Sequence, residues 1–255
     1  MLDEPVIPSI TVVTAAYNAI DGLRKTTATV AKQHSAMIEH VVVDGGSSDG
    51  SPAFLASLSS SVIYVSEPDQ GIADAMNKGI AMSSGEYVLI LQAGDILAPG
   101  TQIDTIVDEL DGSDIISFDV LVTHADGDVH YRSHGLGPKL ERSMSVPHQG
   151  AFVRRDLYGR IGGFDASYRV GMDYEFMLRA KRAGASCKIV NRIVAIMPAD
   201  GISARRDWPS LSRRLAENRR IQSLHARGLR DRIMQKAYWA LYPFYKRLRH
   251  LGGVR

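Results

Sequence analysis

The sequence predicts an α/β domain with a mostly parallel central sheet flanked by helices, followed by a basic helical tail. Short apolar or β-branched runs alternate with stretches of helical spacing, the pattern of βαβ units. Three of those runs end abruptly in polar clusters, and ligands bind beyond the carboxyl ends of parallel strands. The charge is also divided. Residues 205–255 carry 14 Lys/Arg against Asp207, Glu217 and Asp231, whereas the first 204 residues carry 16 basic and 25 acidic groups.

The elements follow in order. Ile10–Thr14 (ITVVT) is a strand feeding the loop Ala15-Ala16-Tyr17-Asn18. A helix from about Asp21 to Gln33 places Leu23, Thr27, Val30 and Ala31 at helical spacing. His40–Asp44 is a second strand, broken by Gly45-Gly46-Ser47-Ser48-Asp49-Gly50. Pro52–Leu58 reads as a helix, Val62–Ser66 as a strand and Asp74–Met82 as a helix. Glu86–Leu91 is a fourth strand, ending at Gln92-Ala93-Gly94-Asp95. Ile115–Val122 and Val129–Arg132 read as strands around Asp126-Gly127-Asp128. Gly162-Gly163-Phe164-Asp165 precedes a helix over Asp173–Arg182, and Lys188–Met197 is a further strand. Beyond Asp200 the chain is arginine-rich and helical.

The 255 residues are 45% hydrophobic and 23% charged, ordinary for a globular protein. A single cysteine, Cys187, excludes an internal disulfide and fits a reducing compartment. No basic start leads into an apolar run, and no segment reaches the roughly 20 apolar residues of a spanning helix. These features read as a soluble, cytoplasmic protein that is free to touch a membrane from the side.

Chemistry concentrates after the strand ends. Asp44 and its glycine-serine loop can take a nucleobase edge or a ribose, or Asp44 and Asp49 can serve only as helix caps. Asp95 is a lone carboxylate suited to a divalent cation shared with diphosphate oxygens, or to a turn. Asp173 and Glu175 stand two residues apart on a helix and face different sides, so they make no paired-carboxylate site. His148, in Pro147-His148-Gln149-Gly150, has no second His or Cys at zinc spacing, which leaves it as a site wall or a buried histidine. Phosphate-loop, dinucleotide-binding and nucleophile-elbow motifs are absent.

Seven segments in order resemble the family 2 glycosyltransferases, in particular the bacterial branch that makes capsules, O-antigens and exopolysaccharides. They are TVVTAAYN (Thr11–Asn18), VVVDGGSSDG (Val41–Gly50), SEPDQGIADAMNKG (Ser66–Gly79), YVLILQAGD (Tyr87–Asp95), HQGAF (His148–Phe152), GGFD (Gly162–Asp165) and DYEFMLR (Asp173–Arg179). The resemblance implies a GT-A fold over residues 1–203, with 204–255 as an extension. It implies inverting transfer of a sugar from a UDP-, GDP- or TDP-linked donor to a saccharide or lipid-linked acceptor, assisted by Mn²⁺ or Mg²⁺.

By position, the resemblance implies that Thr14, Tyr17 and Asn18 hold the nucleoside with Asp44 on the base edge. It puts Asp69, Asp74, Asn77 and Lys78 on the segment closing over the nucleotide. Asp95 matches the metal carboxylate, Asp173 the general base, and His148 and Gln149 the acceptor wall. Two positions depart from the family pattern: Ala15 stands where a proline is usual, and Gln92-Ala93-Gly94-Asp95 offers one acid where many relatives have two. The competing functions are a sugar-1-phosphate nucleotidyltransferase, which would show a basic glycine-rich loop after the first strand, and an inactive sugar-nucleotide-binding scaffold.

The tail sets arginines from Arg213 to Arg232 before Tyr238, Trp239, Leu241, Tyr242, Phe244 and Tyr245. This suits a helix on an anionic membrane surface, or packing on the catalytic domain or on a second copy. Nucleic acid is not expected, since no recognition motif accompanies the charge.

Overall fold

The computed structural model describes residues 9–58, 62–199 and 207–251. The expected domain boundary at 203/204 lies outside them, as do the side chains of Arg230 and Phe244.

Nine strands among the described residues form one sheet. They are β1 (Ile10–Ala16), β2 (Ile38–Asp44), β3 (Ile63–Ser66), β4 (Tyr87–Ile90), β5 (Ile96–Leu97), β6 (Ile115–Thr123), β7 (Val129–Tyr131), β8 (Ala151–Arg154) and β9 (Cys187–Pro198). The helices are α1 (Ile20–Ala31), α2 (Ser51–Ser57), α3 (Ile72–Met82), α4 (Ile103–Val107), α5 (Arg155–Ile161), α6 (Met172–Arg182), α7 (Trp208–Leu224) and α8 (Gly228–Leu251).

The sheet order is β3-β2-β1-β4-β8-β6-β9-β5, with β7 on β6. The half β3-β2-β1-β4 is wholly parallel, as the alternating pattern requires. The other half is mixed: β8 runs antiparallel between β4 and β6, and β5 antiparallel on β9, while β6 and β9 are parallel. The four-residue β8 and the two-residue β5 are too short to show a periodicity, so the sequence does not reveal them, nor the short α4 and α5.

Both sheet faces are covered, so the central strands are apolar throughout. Val13, Val41, Val43, Val88 and Ile90 pack with α3 and α6, through Met76, Ile80, Phe176 and Met177. Ile10, Val12, Leu89 and Leu91 pack on the other face with Val30 of α1 and Ile103 and Ile106 of α4. Helix α3 lies hard on β1: a Cβ at Gly79 would stand 2.2 Å from Val13 Cγ1.

The first helix of the tail packs against the body of the sheet domain. Ile221 of α7 is fully buried in the same core cluster as α6. Glu217 of α7 accepts backbone N–H bonds from Arg169 (3.0 Å), Val170 (2.9 Å) and Gly171 (2.7 Å), the residues that lead into α6. Helix α7 therefore packs into the same core as α6. The sequence hides this because α7 is polar at most positions and buries only Leu215, Ile221 and Gln222.

Candidate active site

The parallel strands β2, β1 and β4 end side by side, which brings the loops at 17–18, 45–50 and 92–95 to one rim. Because β8 is antiparallel to β4, with Leu89 opposite Phe152, its beginning lies at the end of β4. The 3₁₀ turn His148–Gly150 just before β8 therefore reaches the same rim.

At the β1–β2 end, Tyr17 is 65% exposed beside Gly45. Asn18, at φ +47°, accepts from Ser48 N (2.9 Å) and takes Ser47 Oγ on its own N–H (2.7 Å). Asp49 closes the set by accepting the first N–H of α1, from Ile20, at 2.8 Å. Asp44 is fully buried, its carboxylate accepting from Ser66 Oγ (2.6 Å) and from Ser47 N (3.1 Å) and Oγ. Thr14 is also fully buried, 3.0 Å from Nε2 of His40, whose pKa burial lowers to about 4. The Thr14 hydroxyl, expected to contact the nucleoside, thus has a protein partner inside the sheet.

The segment 67–78 is shaped from within. Asp69 accepts from Gly71 N (2.8 Å) and Asp74 from Gln70 N (3.0 Å). Lys78 pairs with Glu67 (2.7 Å) and Asp74 (3.6 Å) and donates to Pro68 O. Asn77 turns elsewhere: its amide exchanges two 2.8 Å bonds with the backbone of Phe164, so it clamps the GGFD loop. That loop is held from the other side by Arg179, which donates to the carbonyls of Ile161, Gly162 and Gly163.

Gly45 explains why the β2 loop begins with glycine. A Cβ there would stand 2.4 Å from Asp69 Oδ2 and 3.3 Å from the Tyr17 ring. Asp69 can yield only by giving up its bond to Gly71 N. Gly45→Val should weaken binding of the nucleotide that the resemblance puts beside Tyr17 by about tenfold, equivalent to 1.4 kcal/mol, without unfolding the domain. Calorimetric titration checks this, and an unchanged affinity would place the nucleoside away from Tyr17.

The second half of the rim holds three titratable groups. His148 Nδ1 lies 3.2 Å from Asp173 Oδ2 at the start of α6. Burial pulls the His148 pKa down, but the hydrogen bond and charge of Asp173 and the charge of Asp95 outweigh it, leaving the imidazole above its ordinary value. Asp95 is buried, its Oδ2 accepting from Gln92 N at 2.9 Å. The loop is fixed from behind by Thr26 Oγ1, which donates to Asp95 O (2.7 Å) and accepts from Gly94 N (2.9 Å). Gln149, beside His148, is buried.

Glu175 faces away from this group. It is buried, bonded to Arg179 (2.8 Å) and His225 (3.3 Å), and these partners overcome desolvation to hold its pKa below the usual carboxylate value. Asp173 and Glu175 thus occupy opposite sides of the helix, as their spacing requires. The Glu175–Arg179 pair is an i,i+4 signal that was readable in the sequence; the Glu217 support of α6 was not.

Among the described residues no group of three or more His, Cys, Asp or Glu side chains gathers as a metal cage. Gln92, whose backbone N–H bonds Asp95, and His148, on which the Asp95 charge acts, nevertheless each bury an atom without a protein hydrogen-bond partner, Oε1 and Nε2. One carboxylate beside such atoms fits a hard divalent cation that draws its remaining ligands from phosphate oxygens and water.

Comparison with known proteins agrees with this architecture. Residues 11–175 match the model for glycosyl transferase family 2. An uncharacterized glycosyltransferase of Mycobacterium tuberculosis is 35% identical over 183 residues, covering 68% of this chain and 69% of that protein. A PGL/p-HBAD biosynthesis glycosyltransferase of Mycobacterium bovis is 29% identical over 181 residues, with the same shares of 68% and 69%. Among solved structures, a mannosyltransferase from Pyrobaculum calidifontis in complex with GDP-Man and Mn²⁺ superposes with a TM-score of 0.67. At 18% identity over 96% of this chain and 73% of that one, this likeness speaks for the fold alone. A family model spanning well over half of the chain, on a matching sheet and rim, shows that the chain belongs to glycosyl transferase family 2 and has the GT-A fold.

Proposed function

We propose that this glycosyltransferase moves a sugar from a nucleoside-diphosphate donor to a hydroxyl of a saccharide or lipid-linked acceptor, in cell-surface polysaccharide or glycolipid synthesis, with inversion at the anomeric carbon. The observation that supports it is the convergence of Asp95, His148 and Asp173 on the rim that also carries the exposed Tyr17. An inactive scaffold would have no use for two carboxylates and a histidine gathered there.

Tyr17 offers its face to the base, and the laced loop from Ser47 to Asp49 offers polar groups to the ribose. Asp44 forms the floor beneath them. The acceptor hydroxyl gives its proton to Asp173 while its oxygen bonds to the anomeric carbon. The bond from that carbon to the phosphate oxygen breaks, and the nucleoside diphosphate departs. His148 orients Asp173, and His148 and Gln149 wall the acceptor side. Asp95 would hold a divalent cation, which supplies neutralisation of the charge growing on the diphosphate. The PGL/p-HBAD biosynthesis and mannosyl transfer named for similar proteins are consistent with this class of reaction.

The test is thermal stabilisation by UDP-, GDP- and TDP-sugars in Mn²⁺ and in EDTA. At least one donor should stabilise the protein, more in Mn²⁺ than in EDTA. Asp95→Asn should remove the Mn²⁺-dependent part, about tenfold or more in affinity, and leave the EDTA value near wild type. Equal weakening in both buffers would mean that Asp95 does not act through a metal, and no response to any donor would sink the proposed reaction.

A further inference from the structure

Among its described side chains, helix α8 is packed along one side. On that side Trp239 is buried and donates Nε1–H to Gln222 Oε1 of α7 at 2.9 Å, while Tyr242 and Lys246 are partly covered. On the opposite side the described apolar side chains are exposed. Leu229, Ile233, Met234 and Leu241 are 75%, 57%, 62% and 72% exposed. Ala237 and Ala240, also exposed, continue the row at helical spacing. Contiguous apolar surface of this kind on a soluble domain marks an interaction site.

The row has charged and aromatic borders. Arg232 and Lys236 run along one edge with Arg247 further on, and the exposed Tyr238 and Tyr245 run along the other. Over its length α8 carries six Lys/Arg against one acid, Asp231. That excess decides the occupant. Pairing of this face with itself in a two-fold dimer would set one cationic helix against another, and like charges brought together at an interface oppose association. An anionic layer with an apolar interior answers both features at once. No helix among the described residues is long and apolar enough to cross a membrane, so contact would be from the side.

We propose that the outer face of α8 docks on an anionic lipid surface. The helix lies in the plane of the membrane, with Ile233, Met234 and Leu241 at the acyl boundary. Arg232 and Lys236 meet lipid phosphates, and the tyrosines sit at headgroup level. This inference stands apart from the proposed reaction: it uses no residue of the rim.

The experiment uses the full chain with vesicles of phosphatidylcholine alone or mixed with phosphatidylglycerol. Sedimentation should occur with the anionic vesicles, fail with the neutral ones, and weaken as salt rises. The double variant Ile233→Asp, Leu241→Asp should lose at least about tenfold in partitioning, as should Arg232→Glu, Lys236→Glu. Both pairs are surface substitutions and should leave the melting temperature and the gel-filtration volume unchanged. Absence of binding to anionic vesicles would overturn the proposal, and so would binding indifferent to the aspartate pair. A wild-type dimer split by that pair, without vesicle binding, would assign the face to a second copy instead.

Discussion

Asp173→Asn should lower kcat by about 10²–10⁴ while nucleotide affinity stays within a few-fold, the loss expected when a positioned base is removed. The substitution keeps the shape of the side chain, and the contact to His148 across 3.2 Å survives as a neutral hydrogen bond. What disappears is the carboxylate proposed to take the acceptor proton. A second readout separates this from a folding defect. With Asp173 neutral, only Asp95 opposes the effect of burial on His148, so the imidazole should titrate lower than in the wild type. Proton NMR of His148 checks the direction. Near-normal turnover in Asp173→Asn would remove Asp173 from the role of base. Glu175 could not replace it without breaking its bonds to Arg179 and His225.

Glu217→Ala should act on the same helix from the opposite direction. Its carboxylate collects three backbone N–H groups at 2.7–3.0 Å just before α6 begins. Hydrogen bonds to a charged group contribute about 1.5–3 kcal/mol, and these are partly open to solvent, so about 2–3 kcal/mol is expected for the set. For a chain of this size that is a fall of roughly 5–10 °C in melting temperature. The rate should fall further than stability alone explains, because the released segment ends two residues before Asp173. A displacement of about 1 Å in a reacting group can cost about 10²-fold. Calorimetry and turnover well below the melting transition separate the two effects. By the same reasoning, a chain cut before Trp208 should lose the fold of the site along with the tail. If Glu217→Ala melts and turns over like wild type, α7 is a bystander.

The legible part of this protein is its parallel half. Runs such as VVVD and YVLIL are buried on both faces and announce themselves by composition, and the polar clusters that follow them mark the rim without further information. The pairing of His148 with Asp173 was not legible, because it depends on the antiparallel strand β8 delivering residue 148 to the end of β4. Four residues, Ala151–Arg154, carry that instruction, and nothing in their composition states a direction. The partner of Thr14 was hidden for a related reason. Thr14 belongs to a motif that ends at the site, yet strand alternation turns it inward to His40. The charge of the tail likewise concealed Glu217, one of only three acids among its residues and the one that ties it to the segment leading into α6.

The cap of α1 has a consequence for how the chain assembles. Ala19, at the N-cap position, offers no side-chain hydrogen bond, and the first amide of the helix, from Ile20, is taken by Asp49, 29 residues further along. Helix nucleation is costly, and a missing cap makes it costlier. The first turn of α1 therefore cannot reach its final stability while the chain is still short. It must wait until β2 has found its register on β1 and carried Asp49 into place, a loop closure that precedes its reward. On this view α1 nucleates from its middle, around Leu23, Thr27 and Val30, and its amino end is sealed last. Completion of the β1–α1 loop would then be one of the later events of folding, and it would coincide with docking of the β2 loop.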